Sequence, residues 1–572
     1  ILDVSAAGHQ PMSNEDQSIW IVFNGEIYNY RELRAHLEGR HEFRSNTDTE
    51  VLVHLYEDEG VECFSKLRGM FAVAIWDARL QQLVIARDRL GKKPVFYSLG
   101  EDGALSFASE LKALVGVEHA YAVDPLAVHH YLTFQYIPTP QTIFQNVAKL
   151  KPGHVLVYRD GSIREQSYWS LQFQEGPEHR SEGEIKEQFL SVLDEAVRLR
   201  MISDVQLGAF LSGGVDSSSV VARMSRWSPT PVNTFSIGFR EDAFNELPFA
   251  RQVAERYHTN HHEFLVEPSA LDLLPRLVGV YDEPFADSSA IPTYVVSQLS
   301  RAHVTVVLTG DGGDEILAGY PRYQFSSAEL VCAGGRTWRS RWKSLVSGWP
   351  GPASTLPSAI GRFGQPLSRR YLSRIAYFSP QEKEALYTED FLSTVGEHDS
   401  AVLLDEWFAE VSTASPLNQL LGVDTRSYLL DDLLVKVDRA TMAHGLEARS
   451  PFLDHQVVEF CAALPLKYKL QSGIGKVLLK SVMRGTLSDD VLDRPKMGFG
   501  VPIERWFRDE CREFLRDTLL SKPAAERGYF KPERVRDLID DHEAGRGNYA
   551  YRLYALLMLE LWHQHVGEAV MV

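Results

Sequence analysis

The 572-residue chain predicts a two-domain protein of mixed α/β and α+β class. An antiparallel β unit with a few helices comes first, followed by a parallel α/β sheet that carries a helical extension. Three observations lead there. The length exceeds what one hydrophobic core organises. Up to about Tyr168 the apolar residues come in short β-branched and aromatic runs separated by turn residues. From Glu184 onward, long amphipathic stretches alternate with buried strand-like runs.

In the first part, SIWIVF, FAVAIWD, QLVIARD, VFYS and HVLVYRDGSI read as strands. Two helical stretches interrupt them, near Tyr30–Leu37 and Asp48–Glu59, and the balance suggests packed antiparallel sheets. Residues 171–183 turn polar and rich in Gly, Pro, Glu and Ser, which reads as a linker between domains at 1–170 and 184–572. Beyond it EIKEQFLSVLDEAVRLRM, VQLGAFL, a further helix and VNTFSIGF follow the rhythm of βαβ units. After about Val331 the pattern is chiefly helical.

Composition narrows the function. With 44% hydrophobic and 24% charged residues the chain is of globular type, and no apolar run approaches membrane length. A net charge of −18 argues against wrapping nucleic acid and says nothing about a small charged ligand in a local pocket. The four cysteines, Cys63, Cys332, Cys461 and Cys511, form no CxxC pair, which excludes a cysteine-type zinc module and fits a reducing cytoplasm.

The strongest local signal is LSGGVDSSS at 211–219, between the strand VQLGAFL and a helix. Gly213 and Gly214 let backbone N–H groups approach an anion, and Ser212, Ser217 and Ser218 add hydroxyl donors. The helix start contributes unpaired N–H groups and its positive dipole end. Asp216 cannot attract phosphate, so its natural task is to hold Mg²⁺. The loop lacks a Walker ending and resembles the SGGxDS loop of the ATP pyrophosphatases, which split ATP between the α and β phosphates. A capped strand-to-helix turn is the plain alternative. A second segment, HVTVVLTGDGGDEILAGY at 303–320, again runs from a strand into a Gly-rich acidic turn. Asp311, Asp314 and Glu315 there repel one another unless a cation is shared. In an open parallel sheet both loops would lie at the carboxyl ends of strands, where ligands bind. Lys476 could neutralise charge as pyrophosphate leaves.

Taken in order, SGGVDS, TGDGGDE, VDRATMAHGLEARSPFLD, Lys476 in its GK pair and RPKMGFGVPIERWF resemble the synthetase half of the asparagine synthetase B family. NGEIYNY, SNTDTEV, LRGMFAVAIWD and ARDRLGKKPVFY resemble its class II glutaminase domain, an Ntn-type antiparallel sandwich with helices. The resemblance implies hydrolysis of glutamine in the first domain and passage of ammonia to the second. There an aspartate side chain is adenylated by ATP with Mg²⁺ and amidated to asparagine. It implies that Asn24, Gly25, Glu26 and Asp48 hold glutamine, with Asn24 and Gly25 forming the oxyanion hole; the local alternative for Asn-Gly is a hairpin turn. It further implies that Leu211 and Ile237 line the adenine side through backbone contacts, that Thr309 and Gly310 lie along ATP with the 212–217 loop, that Asp216 and Asp314 bind the metal, and that Lys476 stabilises the adenylating transition state.

Two departures stand out. The family's nucleophile is an N-terminal cysteine, yet the sequence begins at Ile1 and lacks both that residue and a glutamine-binding arginine. Cys63 reads as buried and inert, so the expectation is a missing first segment, with an ammonia-only enzyme as the alternative. Asp311 stands where some asparagine synthetases place a glutamate near the attacking ammonia, which leaves the acceptor open: a sugar, a peptide or another small carboxylate would suit the same scaffold. A non-enzymatic binding protein is a third reading. The assembly is not legible from these residues; a homodimer is one option.

Overall fold

The computed structural model describes residues 2–115, 121–173, 180–267, 272–324, 365–498 and 500–567. The first domain is built on a six-stranded antiparallel sheet in the order β1-β2-β3-β4-β8-β9. These strands are β1 (Met12–Ser13), β2 (Ile19–Ile27), β3 (Gly69–Asp77), β4 (Gln82–Arg87), β8 (His154–Arg159) and β9 (Ser162–Ser167). A smaller sheet of β5 (Phe96–Leu99), β6 (Leu105–Ala108) and β7 (Ala148–Lys149) is ordered β6-β5-β7. Strand β3 is buried on both faces because side chains alternate across it. Phe71, Val73 and Ile75 pack with Val51, Leu52 and Leu55 of the helix Asp48–Glu59. Ala72 and Ala74 face Val95, Tyr97 and Phe107. The two helices lie where the periodicity put them, at Tyr30–Leu37 and Asp48–Glu59.

The stretch read as a linker ends two residues early. Ser181 caps the helix Glu182–Arg200 and exchanges hydrogen bonds with Glu184, a capping box that draws 182 and 183 into the first turn.

The second domain holds a five-stranded parallel sheet ordered β12-β11-β10-β13-β14. Its strands are β10 (Leu207–Phe210), β11 (Asn233–Phe239), β12 (Asn260–Val266), β13 (Val306–Leu308) and β14 (Glu447–Arg449). The chain starts on β10, winds outward through β11 and β12, then returns to the other side of β10 with β13. That reversal is a topological switch point, the place beyond the carboxyl ends of the strands where open parallel sheets bind ligands.

Strand β14 does not show in the periodicity. Its three residues, Glu-Ala-Arg, join β13 at the sheet edge through the main chain, and a span so short shows no period. The rest of the described tail is chiefly helical, with one short antiparallel ladder of Leu470–Gln471 and Ile474–Gly475, and residues 325–364 and Cys332 lie outside the described residues. Among the described residues no helix is long and apolar enough to cross a membrane.

Buried charges tie the domains together. Asp454 accepts from Arg68 of the first domain and from Arg200 of the second, each at 2.8 Å, and its other oxygen caps the helix His455–Ala463 through Gln456 N–H. Lys93 reaches Asp438 at 2.7 Å. Burial opposes ionisation of Asp454, but the two guanidinium groups outweigh it and hold the carboxyl well below its usual range. Replacing Asp454 by Ala takes from Arg200 its carboxylate partner and leaves Arg68 only the partly exposed Glu195 at 3.2 Å, and we expect a loss of about 3 kcal/mol, read as a lower thermal midpoint. Since the folded value lies below the unfolded one, the wild-type advantage is full above about pH 4 and shrinks as the pH falls further. An equal midpoint for Asp454→Ala at neutral pH would contradict this account.

Candidate active site

The loops leaving β10 and β13 touch backbone to backbone. A Cβ on Gly310 would come within 2.6 Å of Ser217 N and 3.0 Å of Asp216 Cβ, so only glycine allows this approach. On the other side Gly213 turns with φ +70°, and a Cβ there would strike Ala250 N at 2.5 Å. Ser212 Oγ and Ser217 Oγ lie 3.0 Å apart, and Gly214 N–H donates to Ser212 Oγ at 3.2 Å. Gly214 is also the N-cap of the helix Val215–Trp227, with no side-chain cap on the first N–H groups. An anion meeting that end finds free donors and the positive end of the dipole.

Charge is concentrated beside this turn. Lys476 donates to Asp216 Oδ2 and reaches Asp314 Oδ1 at 2.5 Å, while Lys496 reaches Asp314 Oδ2 at 2.7 Å. Lys476 sits in the left-handed region with φ +57°, immediately before the helix Val477–Met483. Burial opposes ionisation of Asp314, yet the two ammonium groups hold it down to about 2. Burial pushes Asp216 up against the pull of Lys476. Asp216 Oδ1 is buried without a hydrogen-bond partner. A hard divalent cation suits that arrangement, in which carboxylates from two loops face one locus and one oxygen has no partner.

The crevice opens into a cavity of about 770 Å³. Leu211 and Ile237 form part of its wall with Phe210 and Phe235. The Leu211 backbone is largely committed: its N–H donates to Phe235 O at 2.9 Å and its carbonyl accepts from Ser236 Oγ. One carbonyl lone pair remains for a further donor. Thr309 N–H is likewise taken, by Arg449 O at 2.9 Å. Farther along, Lys436 donates to Asp287 Oδ2 at 2.8 Å and Ser289 Oγ at 2.9 Å.

The three carboxylates read from TGDGGDE do not share one cation. Asp314 alone joins the lysine cluster. Glu315 turns inward to accept from Tyr320 Oη at 2.5 Å, and burial followed by the Asp314 charge pushes it up to about 7. Asp311 faces the cavity beyond, where burial raises it while Thr309 and Lys436 pull the other way. Successive residues around the short helix Gly313–Ile316 point in different directions, and the crowding seen in sequence is dispersed. Lys496, Arg494 with its 2.7 Å pair to Glu246, and the Lys436–Asp287 pair have no assigned role in the sequence reading. Lys496 and Arg494 lie in RPKMGFG, but no local pattern marks which basic residue turns inward.

In the first domain Asn24 and Gly25 lie within β2, paired to Ala72 and Phe71 of β3, and form no hairpin. A Cβ on Gly25 would overlap the Met70 carbonyl oxygen, which explains a glycine here. Asp48 accepts from Ile27 N–H at 2.7 Å, and burial together with the Glu26 carboxylate pushes it up to about 7. Glu26 is already engaged by Arg449 of β14 at 3.1 Å, which sequence spacing does not reveal. Cys63 is buried in the 3₁₀ helix Gly60–Lys66, and burial pushes its thiol up. Cys461 and Cys511 are raised to about 12 and about 11, again chiefly by burial, so none of these described thiols is poised as a nucleophile.

Two family models match the chain, asparagine synthase over residues 188–564 and a glutamine amidotransferase domain over residues 1–169. The chain belongs to the asparagine synthase family. Asparagine synthetase [glutamine-hydrolyzing] 1 of Bacillus subtilis is 34% identical over 98% of this chain and 88% of its own length. A putative asparagine synthetase [glutamine-hydrolyzing] of Mycobacterium tuberculosis is 32% identical over 98% and 87% respectively. Amidase chry2 of Gibberella zeae is 26% identical over 94% and 85%. This family member therefore joins an N-terminal glutamine amidotransferase domain to a parallel-sheet synthase domain. It is a carbon–nitrogen ligase by family, and ATP use is expected of that family.

Gly310→Ala would force the two loops apart by a fraction of an ångström, and we expect roughly 10²-fold slower ATP turnover. Steady-state pyrophosphate release checks this, and wild-type turnover in the variant would show that the contact does not position the nucleotide.

Proposed function

We propose that this chain is a glutamine-dependent asparagine synthetase that adenylates the aspartate side-chain carboxylate and amidates it with ammonia drawn from glutamine. The products are asparagine, glutamate, AMP and pyrophosphate. The observation that carries the reading is Lys476 bridging Asp216 and Asp314 in the crevice between β10 and β13.

Phosphate oxygens fit the uncapped N–H groups after Gly214 and the hydroxyls of Ser212 and Ser217. Asp216 and Asp314 would hold Mg²⁺, which when bound neutralises phosphate charge. Lys476 and Lys496 face the same place and offset the negative charge that grows on the departing pyrophosphate. The purine fits against Leu211 and Ile237, with Thr309 and Gly310 along the phosphates. Asp311, held up by burial, stands in the same cavity and is suited to take a proton from attacking ammonia.

In the first domain, Asn24 and the Gly25 N–H are the donors for an oxyanion. Asp48 and Glu26 form a buried acidic pair that suits the ammonium end of glutamine. The domain limits 1–170 and 184–572, the second moved back to Glu182 by the capped helix, a homodimeric assembly and a cytoplasmic setting belong to this proposal.

With ammonia, ATP and Mg²⁺ supplied, aspartate is expected to release pyrophosphate in step with asparagine. Lys476→Met should lower that rate by about 10²–10³-fold. A panel of carboxylates analysed by mass spectrometry tests the acceptor. If aspartate releases no pyrophosphate while another carboxylate does, the acceptor assignment is wrong and the adenylation reading stands. In the full-length protein Asn24→Ala should cut glutamine-driven synthesis by about 10²-fold and leave ammonia-driven synthesis intact; equal losses in both would remove Asn24 from the oxyanion role.

A further inference from the structure

Among the described residues, Glu15, His41, His54 and Glu57 each offer one ligand atom, and these four atoms lie within 4.8 Å of one another. They come from three segments: the turn after β1, the loop after the helix Tyr30–Leu37, and the helix Asp48–Glu59. On that helix Glu50, His54 and Glu57 occupy one face, opposite Asp48 and the glutamine pocket. We propose that these four residues bind a borderline divalent cation of the zinc type.

His54 is the first reason. Its side chain is 1% exposed, and neither ring nitrogen has a hydrogen-bond partner. Its Nδ1 stands 3.5 Å from Glu15 Oε2, too far for a good hydrogen bond and close enough for two ligands of one ion. Glu57 Oε2 is also buried without a hydrogen-bond partner. A buried imidazole left unsatisfied beside two carboxylates is costly, and a cation removes the cost.

The outer contacts are the second reason. His41 Nδ1 lies 3.3 Å from Glu15 Oε1 and 3.9 Å from Glu57 Oε2. Its other nitrogen, Nε2, lies 3.1 Å from Asp58 Oδ1. His54 Nε2 stands 3.9 Å from Glu50 Oε1, beyond hydrogen-bond reach. Both rings turn Nδ1 toward the cluster, and behind His41 Nε2 a carboxylate stands at hydrogen-bond distance. That is the carboxylate–histidine–metal arrangement, in which the outer acid sets the tautomer and orients the ring. The frame around it is held by other bonds. Glu42 N–H donates to Glu15 at 2.9 Å, Arg79 to Glu57 at 3.1 Å, and Glu50 accepts from the N–H groups of Arg44 and Ser45, each at 2.7 Å.

Two imidazoles exclude the hard cations Mg²⁺ and Ca²⁺, and two carboxylates with two neutral imidazoles balance a divalent charge. Four protein ligands close the coordination shell, so the ion is structural: it staples the start of the chain to the back of the helix whose first residue is Asp48. A purely ionic cluster of imidazolium and carboxylate groups is the competing arrangement.

The full chain, stripped with a chelator and free of nucleotide, is titrated with Co²⁺. One equivalent is expected to bind with the visible bands of four-coordinate cobalt, without thiolate charge transfer, and to be displaced by Zn²⁺. His54→Gln should abolish the bands. Because His54 is buried and its replacement endangers the fold, the half-exposed Glu15→Gln serves as second variant, with circular dichroism as the check on folding. Asp58→Asn should keep the bands and weaken affinity by roughly 10–100-fold. Absence of four-coordinate bands in the wild type, or bands that persist in both folded ligand variants, would overturn the proposal.

Discussion

Two carboxylates are held near each other in a buried crevice because Lys476 stands between them and Lys496 backs one of them. Asp216 belongs to the loop after β10 and Asp314 to the loop after β13, so this one ammonium joins the two halves of the switch point. Without it the acids would repel in a low-dielectric setting and the loops would part. The contact of Gly310 with Asp216 and Ser217 makes the approach sterically possible, and the lysine makes it electrostatically tolerable. A site that holds its charges in balance in this way suits the polyanion and metal proposed for it.

The same sheet carries a physical link between the two domains. Arg449 closes the edge of the parallel sheet on β14: its carbonyl accepts from Thr309 N–H beside the crevice between β10 and β13. Its guanidinium pairs with Glu26 in the first domain and with Glu447 at 2.7 Å. One residue thus touches both candidate sites, and it is fully buried. Around it Arg200, Arg68 and Asp454 form a second buried set at the same boundary. Burying so many charges is costly unless each is paired, so the relative placement of the domains is specified closely.

Much of the candidate site's layout was legible in the chain order. Gly-rich turns directly after apolar strands signal ligand loops because strands of a parallel sheet end on one side, and both LSGGVDS and TGDGGDE have that form. The helices Tyr30–Leu37 and Asp48–Glu59 and most strands of the first domain follow from apolar spacing and turn residues. What failed to show were pairings across long sequence distance: Lys496 with Asp314, Arg494 with Glu246, Arg449 with Glu26, and the divergence of Asp311, Asp314 and Glu315.

The boundary between the two kinds of knowledge is physical. Periodicity, glycine placement and residue chemistry act locally, so the order of elements, the two phosphate-type loops and the candidate acids and lysine could be named from the chain alone. Which charged side chains meet depends on where distant segments come to rest and on which groups lose water in doing so. Burial and partner choice together placed Lys476 between two aspartates, turned Glu315 away, and left His54 facing two carboxylates on the far side of the first domain's second helix. Those are properties of the packed molecule.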